Sequence, residues 1–152
     1  PDIGLLKNKL VKRKVPVVKQ EDDAVAKYNK PEKVTPDSVP GAFLRADVFQ
    51  KHWVTFAFNE QLDVFYTGNT ILSPTTETGG RSLVTFVDRE NLLSSGFCWP
   101  TSLELVAETP FVVYRRMGRG HLIAFTDDPN YRGMYPSLQR LFINAAMFGA
   151  GH

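Results

Sequence analysis

The stretch YRRMGRGHLIAFTDDPNYRGMYPSLQRLFINAAMFG, Tyr114–Gly149, decides how the chain is read. Gly118 and Gly120 flank Arg119 and offer a tight reversal, because glycine accepts positive φ with no Cβ to clash. Phe111–Met117 and His121–Thr126, on either side, predict the two strands of a hairpin. The second is short, apolar and free of breakers, which suits a buried central strand. Asp127-Asp128-Pro129-Asn130 stops it with turn chemistry. Pro136 fits the first turn of a helix, where its missing N–H costs nothing. Leu138, Leu141, Phe142, Ala145 and Phe148 follow at helical spacing, and Gly149 ends the run. A buried strand opening into a polar loop and then a helix is where α/β proteins keep their sites, so Asp127–Tyr135 is the candidate site loop.

Outward from that stretch, the chain is rich in strands. Gly41–Val48 alternates Phe43, Ala46 and Val48 with Arg45 and Asp47. His52–Phe58 (HWVTFAF) carries β-formers and reads as a second strand. Leu62–Tyr66 is a third, Thr70–Leu72 a short continuation, and Arg81–Val87 another, with residues 73–80 an exposed loop between them. Asp88–Pro100 reads as irregular or a short helix, with Phe97, Cys98 and Trp99 packed against the sheet, and Thr101–Ala107 as a strand or a turn of helix. With one clear C-terminal helix, this is an α+β domain or the strand-rich second half of a larger α/β domain.

Residues 1–39 read as a linker or a partly ordered edge segment, and 40–152 as the domain proper. The first forty residues hold five of the ten prolines and nine of the eighteen Lys and Arg. VKRKVPVVK (Val11–Lys19) alternates apolar and basic residues and suits an edge strand, the only strand position that tolerates Pro16. Glu21–Lys30 suits a short helix. Lys12-Arg13-Lys14 clusters only three charges, as a solvated edge does.

The 152 residues suffice for one domain with a core. Apolar content is 43% and charged content 22%, ordinary for a globular chain. A net charge of +2 argues for neither nucleic acid nor an acidic membrane surface as partner. No apolar run approaches the roughly 18–20 residues of a membrane span, and no segment has a signal-peptide pattern. The chain starts at Pro1 rather than Met, as a piece of a longer polypeptide would. A single Cys98 excludes an internal disulfide framework.

Zinc catalysis needs three protein ligands and an open position. His52, His121 and His152 are scattered and sit in no H-x-x-E or H-E-x-x-H pattern, so no metal site is expected. Cys98, between aromatics in SGFCWP, lacks the cationic neighbours of a reactive thiolate and reads as a buried apolar residue. Asp127 and Asp128 suit acid–base work or ligand binding, or the local role of accepting backbone N–H bonds in a turn. Arg132 suits a carboxylate clamp, or a tie to Asp127 or Asp128. Gly118-Arg119-Gly120 lies in a hairpin and is not a phosphate loop. Trp53, Phe56, Phe58, Phe65, Tyr66, Phe86 and Phe97 read as core residues or the lining of a sugar or peptide groove.

PGAFLRADVFQKHW (Pro40–Trp53), GNTIL (Gly68–Leu72), LLSSGFCWP (Leu92–Pro100) and above all Gly118–Gly149 resemble the C-terminal region of bacterial zinc carboxypeptidases of peptidase family M14, in which a class I glutamine-amidotransferase-like domain follows the peptidase domain. The resemblance implies the second half of a flavodoxin/amidotransferase-like α/β domain over residues 40–152. It also implies a non-catalytic accessory role, packing on the upstream peptidase domain of the same polypeptide or mediating homo-oligomer assembly. The zinc ligands and catalytic Glu of that family belong to the peptidase domain, so zinc is expected in the parent and no cofactor in this chain. A working amidotransferase has F-H-P-E at a late strand end; here Phe125-Thr126-Asp127-Asp128-Pro129 stands there, so no catalytic residue is assigned. A periplasmic or secreted setting is implied by the resemblance alone. The alternative is a sugar- or amino-acid-binding module using Asp127, Asp128, Asn130 and Arg132.

Overall fold

A computed structural model describes residues 37–75, 80–149 and 151. The expected edge strand at Val11–Lys19 and helix at Glu21–Lys30 lie outside the described residues. Six strands and three α-helices are described: β1 Val39–Val48, β2 Gln61–Gly68, β3 Gly80–Phe86, α1 Arg89–Leu92, β4 Leu93–Phe97, α2 Pro100–Val106, β5 Pro110–Met117, β6 Gly120–Phe125 and α3 Pro136–Gly149. They form a mixed α/β unit around one curled antiparallel sheet, a half-barrel, with a C-terminal helix.

The sheet order is β2-β1-β3-β5-β6, and every described ladder is antiparallel. β1 is its spine. One edge pairs with β2 from Asp47↔Gln61 to Val39↔Gly68. The other is shared: β3 takes Ala46–Val48 and β4 takes Gly41–Leu44. α1 interrupts what would otherwise be one long strand. Asp88 caps it, accepting bonds from the backbone N–H groups of Glu90 and Asn91 at 3.0 and 3.2 Å. Gly96 lets β4 come close to β1. Its φ is +93°, and a Cβ there would lie 3.0 Å from both Ala42 Cα and the Gly41 carbonyl oxygen.

Alternation along β1 separates two faces. Ala42, Leu44, Ala46 and Val48 are buried, while Phe43 and Arg45 are half-buried and Asp47 exposed. The buried face joins Val64, Tyr66, Leu83, Phe86, Leu105, Val106, Phe111, Leu138 and Leu141 in one core. Its rings pass contact from strand to strand: Tyr66 to Phe86 at 5.8 Å, Phe86 to Phe111 at 6.0 Å and Phe111 to Phe125 at 6.2 Å.

The hairpin forms where the glycines predict it, with Met117 opposite Gly120 and Gly118 at φ +59°. β6, however, ends the sheet path and is half-buried along most of its length, not a buried central strand. A run of four apolar residues, Leu122–Phe125, fits an edge as well as a centre once aromatic rings cover it. His52–Phe58 is not a strand. Trp53–Thr55 is a 3-10 turn whose leading residue, His52, accepts the Val54 N–H on Nδ1 at 3.3 Å, and Ala57 reverses the chain at φ +63°. Thr70–Leu72 is also outside any strand, and Asp88–Pro100 contains β4 as well as a short helix. Cys98 is buried, but Phe97 and Trp99 are exposed instead of packed down.

α3 packs against the 3-10 turn Trp53–Thr55. Leu138 and Leu141 are fully buried, and Asn144 donates from Nδ2 to the carbonyls of Val54 and Phe56 at 2.9 and 3.1 Å. Phe142 and Phe148, expected on the inward stripe, point outward and are 44% and 42% exposed. The inward face is narrower than the apolar content of the helix, because buried Asn144 takes a position that a hydrophobic stripe would fill.

Candidate functional site

The loop after β6 begins with Thr126, whose N–H donates to the Phe111 carbonyl at 2.8 Å and whose hydroxyl donates to the Pro110 carbonyl at 2.7 Å. The strand end is therefore fixed before the acidic pair begins. Asp127 Oδ2 accepts the Thr67 backbone N–H at 2.6 Å and the Thr67 hydroxyl at 3.0 Å, while Oδ1 accepts the Asp128 N–H at 2.7 Å. Three of the roughly four acceptor positions of a carboxylate are thus filled from within the protein. Thr67 lies on β2 and Asp127 follows β6, the two outermost strands of the path. The side chain joins sheet edges that share no described ladder.

Asp128 accepts the Asn130 N–H on Oδ1 at 2.8 Å, an Asx turn. A 3-10 turn at Tyr131–Gly133 follows, closed by Gly133 N–H to the Asn130 carbonyl at 2.8 Å. Arg132 occupies φ +50° and its guanidinium lies over the Tyr131 ring at 5.1 Å. Among the described residues it makes no ion pair with Asp127 or Asp128, and it is exposed. The four candidates are therefore neighbours along one loop with separate tasks: Asp127 faces β2, Asp128 and Asn130 shape a turn, and Arg132 covers a ring. The rest of the loop is held by aromatics. Tyr135 stacks on Phe65 at 4.8 Å and meets Phe43 edge-on at 5.2 Å, and Tyr131 lies 5.0 Å from Phe65.

The placement rule that pointed to this loop belongs to parallel sheets, where all strand C-termini gather at one edge. In an antiparallel sheet they alternate between edges, so the rule gives this loop no priority.

Two open clefts lie elsewhere. One, about 620 Å³, is lined by Gln50, Asn59, Glu60 and Gln61. The other, about 510 Å³, lies between α1 and α2 and is lined by Asp88, Arg89, Glu90, Glu104, Ala107 and Glu108. Arg89 pairs with Glu104 there at 3.2 Å. The Asn91 amide, donating to both Asp88 oxygens at 3.1 and 3.0 Å, holds that carboxyl below its usual range, helped by the backbone N–H bonds.

The chemistry-bearing residues outside the loop are also embedded. Burial pushes the Cys98 thiol up, away from thiolate character at neutral pH. His52 and His121, far apart in sequence, meet in one aromatic cluster: His52 lies 4.6 Å from Tyr114, and His121 lies 5.1 Å from Trp53 and 5.9 Å from Tyr114. His152 lies outside the described residues. No three of His, Cys, Asp and Glu converge as a metal-binding group among the described residues. None of the described helices is long and apolar enough to cross a membrane.

The chain matches no family model, no curated protein and no solved structure.

One feature of the surface was missed in reading the sequence. Phe142, Ile143, Met147 and Phe148 expose 44, 49, 71 and 42% of their surfaces along the outer side of α3. Phe56, 64% exposed, extends them, its ring 6.3 Å from Phe148. The signal was present: residues 138–148 hold more apolar side chains than one buried stripe accommodates.

Proposed function

We propose that the chain is a non-catalytic accessory part of a zinc carboxypeptidase of peptidase family M14, docking through the outer face of α3 on the peptidase domain of the same polypeptide. The observation that carries this reading is the apolar face of Phe142, Ile143, Met147 and Phe148 with Phe56, since contiguous exposed apolar surface marks an interaction site. Two further facts support it. The sequence resemblance is strongest over Gly118–Gly149, and the side chains of that stretch close the sheet, build a turn and seat a helix. The resemblance puts Thr126 or Asp127 where an amidotransferase has its base, and the Asp127 oxygens are taken up by Thr67 and Asp128. Within the same reading, the unit is the second half of an amidotransferase-like domain, a fold that the resemblance over Gly118–Gly149 implies and of which the terminal helix is the matching element.

The test is to supply the isolated chain with peptide and glutamine substrates, with and without added zinc. It should show no turnover above buffer, and robust turnover of either substrate overturns the reading. In the full-length polypeptide, Phe142→Glu with Met147→Glu should release this unit from the peptidase domain in limited proteolysis. Unchanged protection overturns the docking face.

A further inference from the structure

The outer face of α3 matches itself. Phe142 and Ala146 form one i, i+4 row and Ile143 and Met147 the next, and all four are exposed. Phe148 lies off this strip, its ring 6.3 Å from Phe56. Two such rows are ridges with a groove between them, the surface that one helix offers another. Residues 141–149 carry no charge, and Arg140 is the only charged residue on α3. An uncharged strip does not repel its own copy.

A second α3 fits the strip when it runs antiparallel about a two-fold axis. An axis level with Asn144 and Ala145 sets Phe142 opposite Met147 of the second copy and Ile143 opposite its Ala146, each contact occurring twice. At the centre a large side chain meets a small one, so the two backbones can approach closely. At the flanks a thioether meets an aromatic ring, a favourable contact. The same axis brings Arg140 beside the last turn of the second helix, where a cation is stabilised by the unpaired carbonyls. A parallel pair loses these matches: it sets Arg140 against Arg140 and Phe142 against Phe142.

Area sets the strength. Phe142, Ile143 and Met147 are 44, 49 and 71% exposed. With large side chains near 200 Å² each, they leave roughly 300 Å² of apolar surface per copy. Two copies together stay under the roughly 1,200 Å² of a standard stable interface. The pair should therefore be reversible, forming at high concentration and separating on dilution.

We infer that α3 is a self-association surface, through which two copies of the chain pair antiparallel by Phe142, Ile143, Ala146 and Met147. Docking on a peptidase domain, as proposed above, uses the same side chains, so each use excludes the other. The pairing does not rest on that reading.

The test is sedimentation equilibrium of the chain from about 10 μM to about 1 mM. The average mass should climb from monomer toward dimer. Ala146→Glu, an exposed position, should hold it at monomer with an unchanged circular-dichroism spectrum. Monomer at every concentration overturns the inference, and so does a dimer that Ala146→Glu leaves intact. The second arm oxidises Phe142→Cys and Met147→Cys chains, alone and mixed; Cys98 is buried and takes no part. A disulfide is expected in the mixture only, because two copies of position 142 lie five residues, about 7.5 Å, apart along antiparallel axes, beyond disulfide reach. A disulfide formed as readily by Phe142→Cys alone means a parallel pair and overturns the inference. Release from the peptidase domain is read by proteolysis, so either idea can fail without the other.

Discussion

Asp127 and Thr67, 60 residues apart, are joined by two hydrogen bonds through one carboxylate oxygen, at 2.6 Å to the backbone N–H and 3.0 Å to the hydroxyl. The pair connects β2 to the end of β6, between which no ladder runs among the described residues. A charged acceptor taking a backbone N–H is among the stronger hydrogen bonds a fold can make.

Asp127→Ala should therefore lose about 2–3 kcal/mol of stability in urea unfolding. Asp127→Asn should lose less, since its remaining oxygen still accepts one donor. Thr67→Val should be non-additive with Asp127→Ala. If Asp127→Ala keeps full stability but abolishes saturable binding of a sugar or amino acid, the loop is a ligand site instead.

Asn144 is buried in α3, where it serves the carbonyls of Val54 and Phe56. Asn144→Ala leaves two acceptors unserved and should cost about 2 kcal/mol. Amide exchange in α3 should rise more than in β1–β3, because the lost bonds tie the helix to the turn and not to the sheet.

Burial lifts the Tyr66 phenol well above its ordinary range, with the Asp127 charge and then Cys98 adding to the shift; its hydroxyl donates to the Thr70 carbonyl at 2.8 Å. The unfolded phenol ionises near pH 10. The folded value is higher, so this contribution is complete below about pH 10 and is lost as pH rises toward the folded value. Tyr66 should resist ionisation in the native state and titrate only on alkaline unfolding. Phenolate absorbance measures it, and Tyr66→Phe should remove that late step.

Gly96→Ala places a methyl against the Ala42 Cα and the Gly41 carbonyl in a backbone conformation that alanine resists. A loss of about 1–3 kcal/mol is expected, with exchange rising first at Gly41–Leu44. Gly118→Ala should cost less, since nothing lies within 4 Å of a Cβ there.

Phe142→Glu with Met147→Glu alters side chains that touch little of the core. Thermal stability should shift by less than about 1 kcal/mol in total. Binding of a hydrophobic dye should fall markedly. Undiminished dye binding would place the accessible apolar surface elsewhere.

The hairpin, β1, β2, β3 and α3 were legible because each follows from local residues: the glycines at 118 and 120, alternation in Gly41–Val48, and Pro136 before a helical run. HWVTFAF misled because β-propensity was overridden by local bonds, His52 capping the Val54 N–H and Thr55 donating to the Phe49 carbonyl at 2.6 Å. The acidic loop was located correctly as a loop, but its main partner, Thr67, lies on a strand that no local pattern relates to it. Arg132 illustrates the same limit, since a basic residue near two acids reads as an ion pair until Tyr131 is seen beneath it. β4 escaped notice because its weak strand formers, Ser95 and Gly96, are held extended by pairing with β1, which no local pattern shows.

The shared flank of β1 also bears on synthesis. β1 and β2 leave the ribosome together, whereas the strands that complete the far side of β1 finish only at Phe97. At about 5–20 residues per second, a half-built hairpin persists for a few seconds with a bare, sticky rim. A chaperone that binds extended apolar segments would find its opening during that interval, and slow codons between Gly68 and Phe97 would lengthen it.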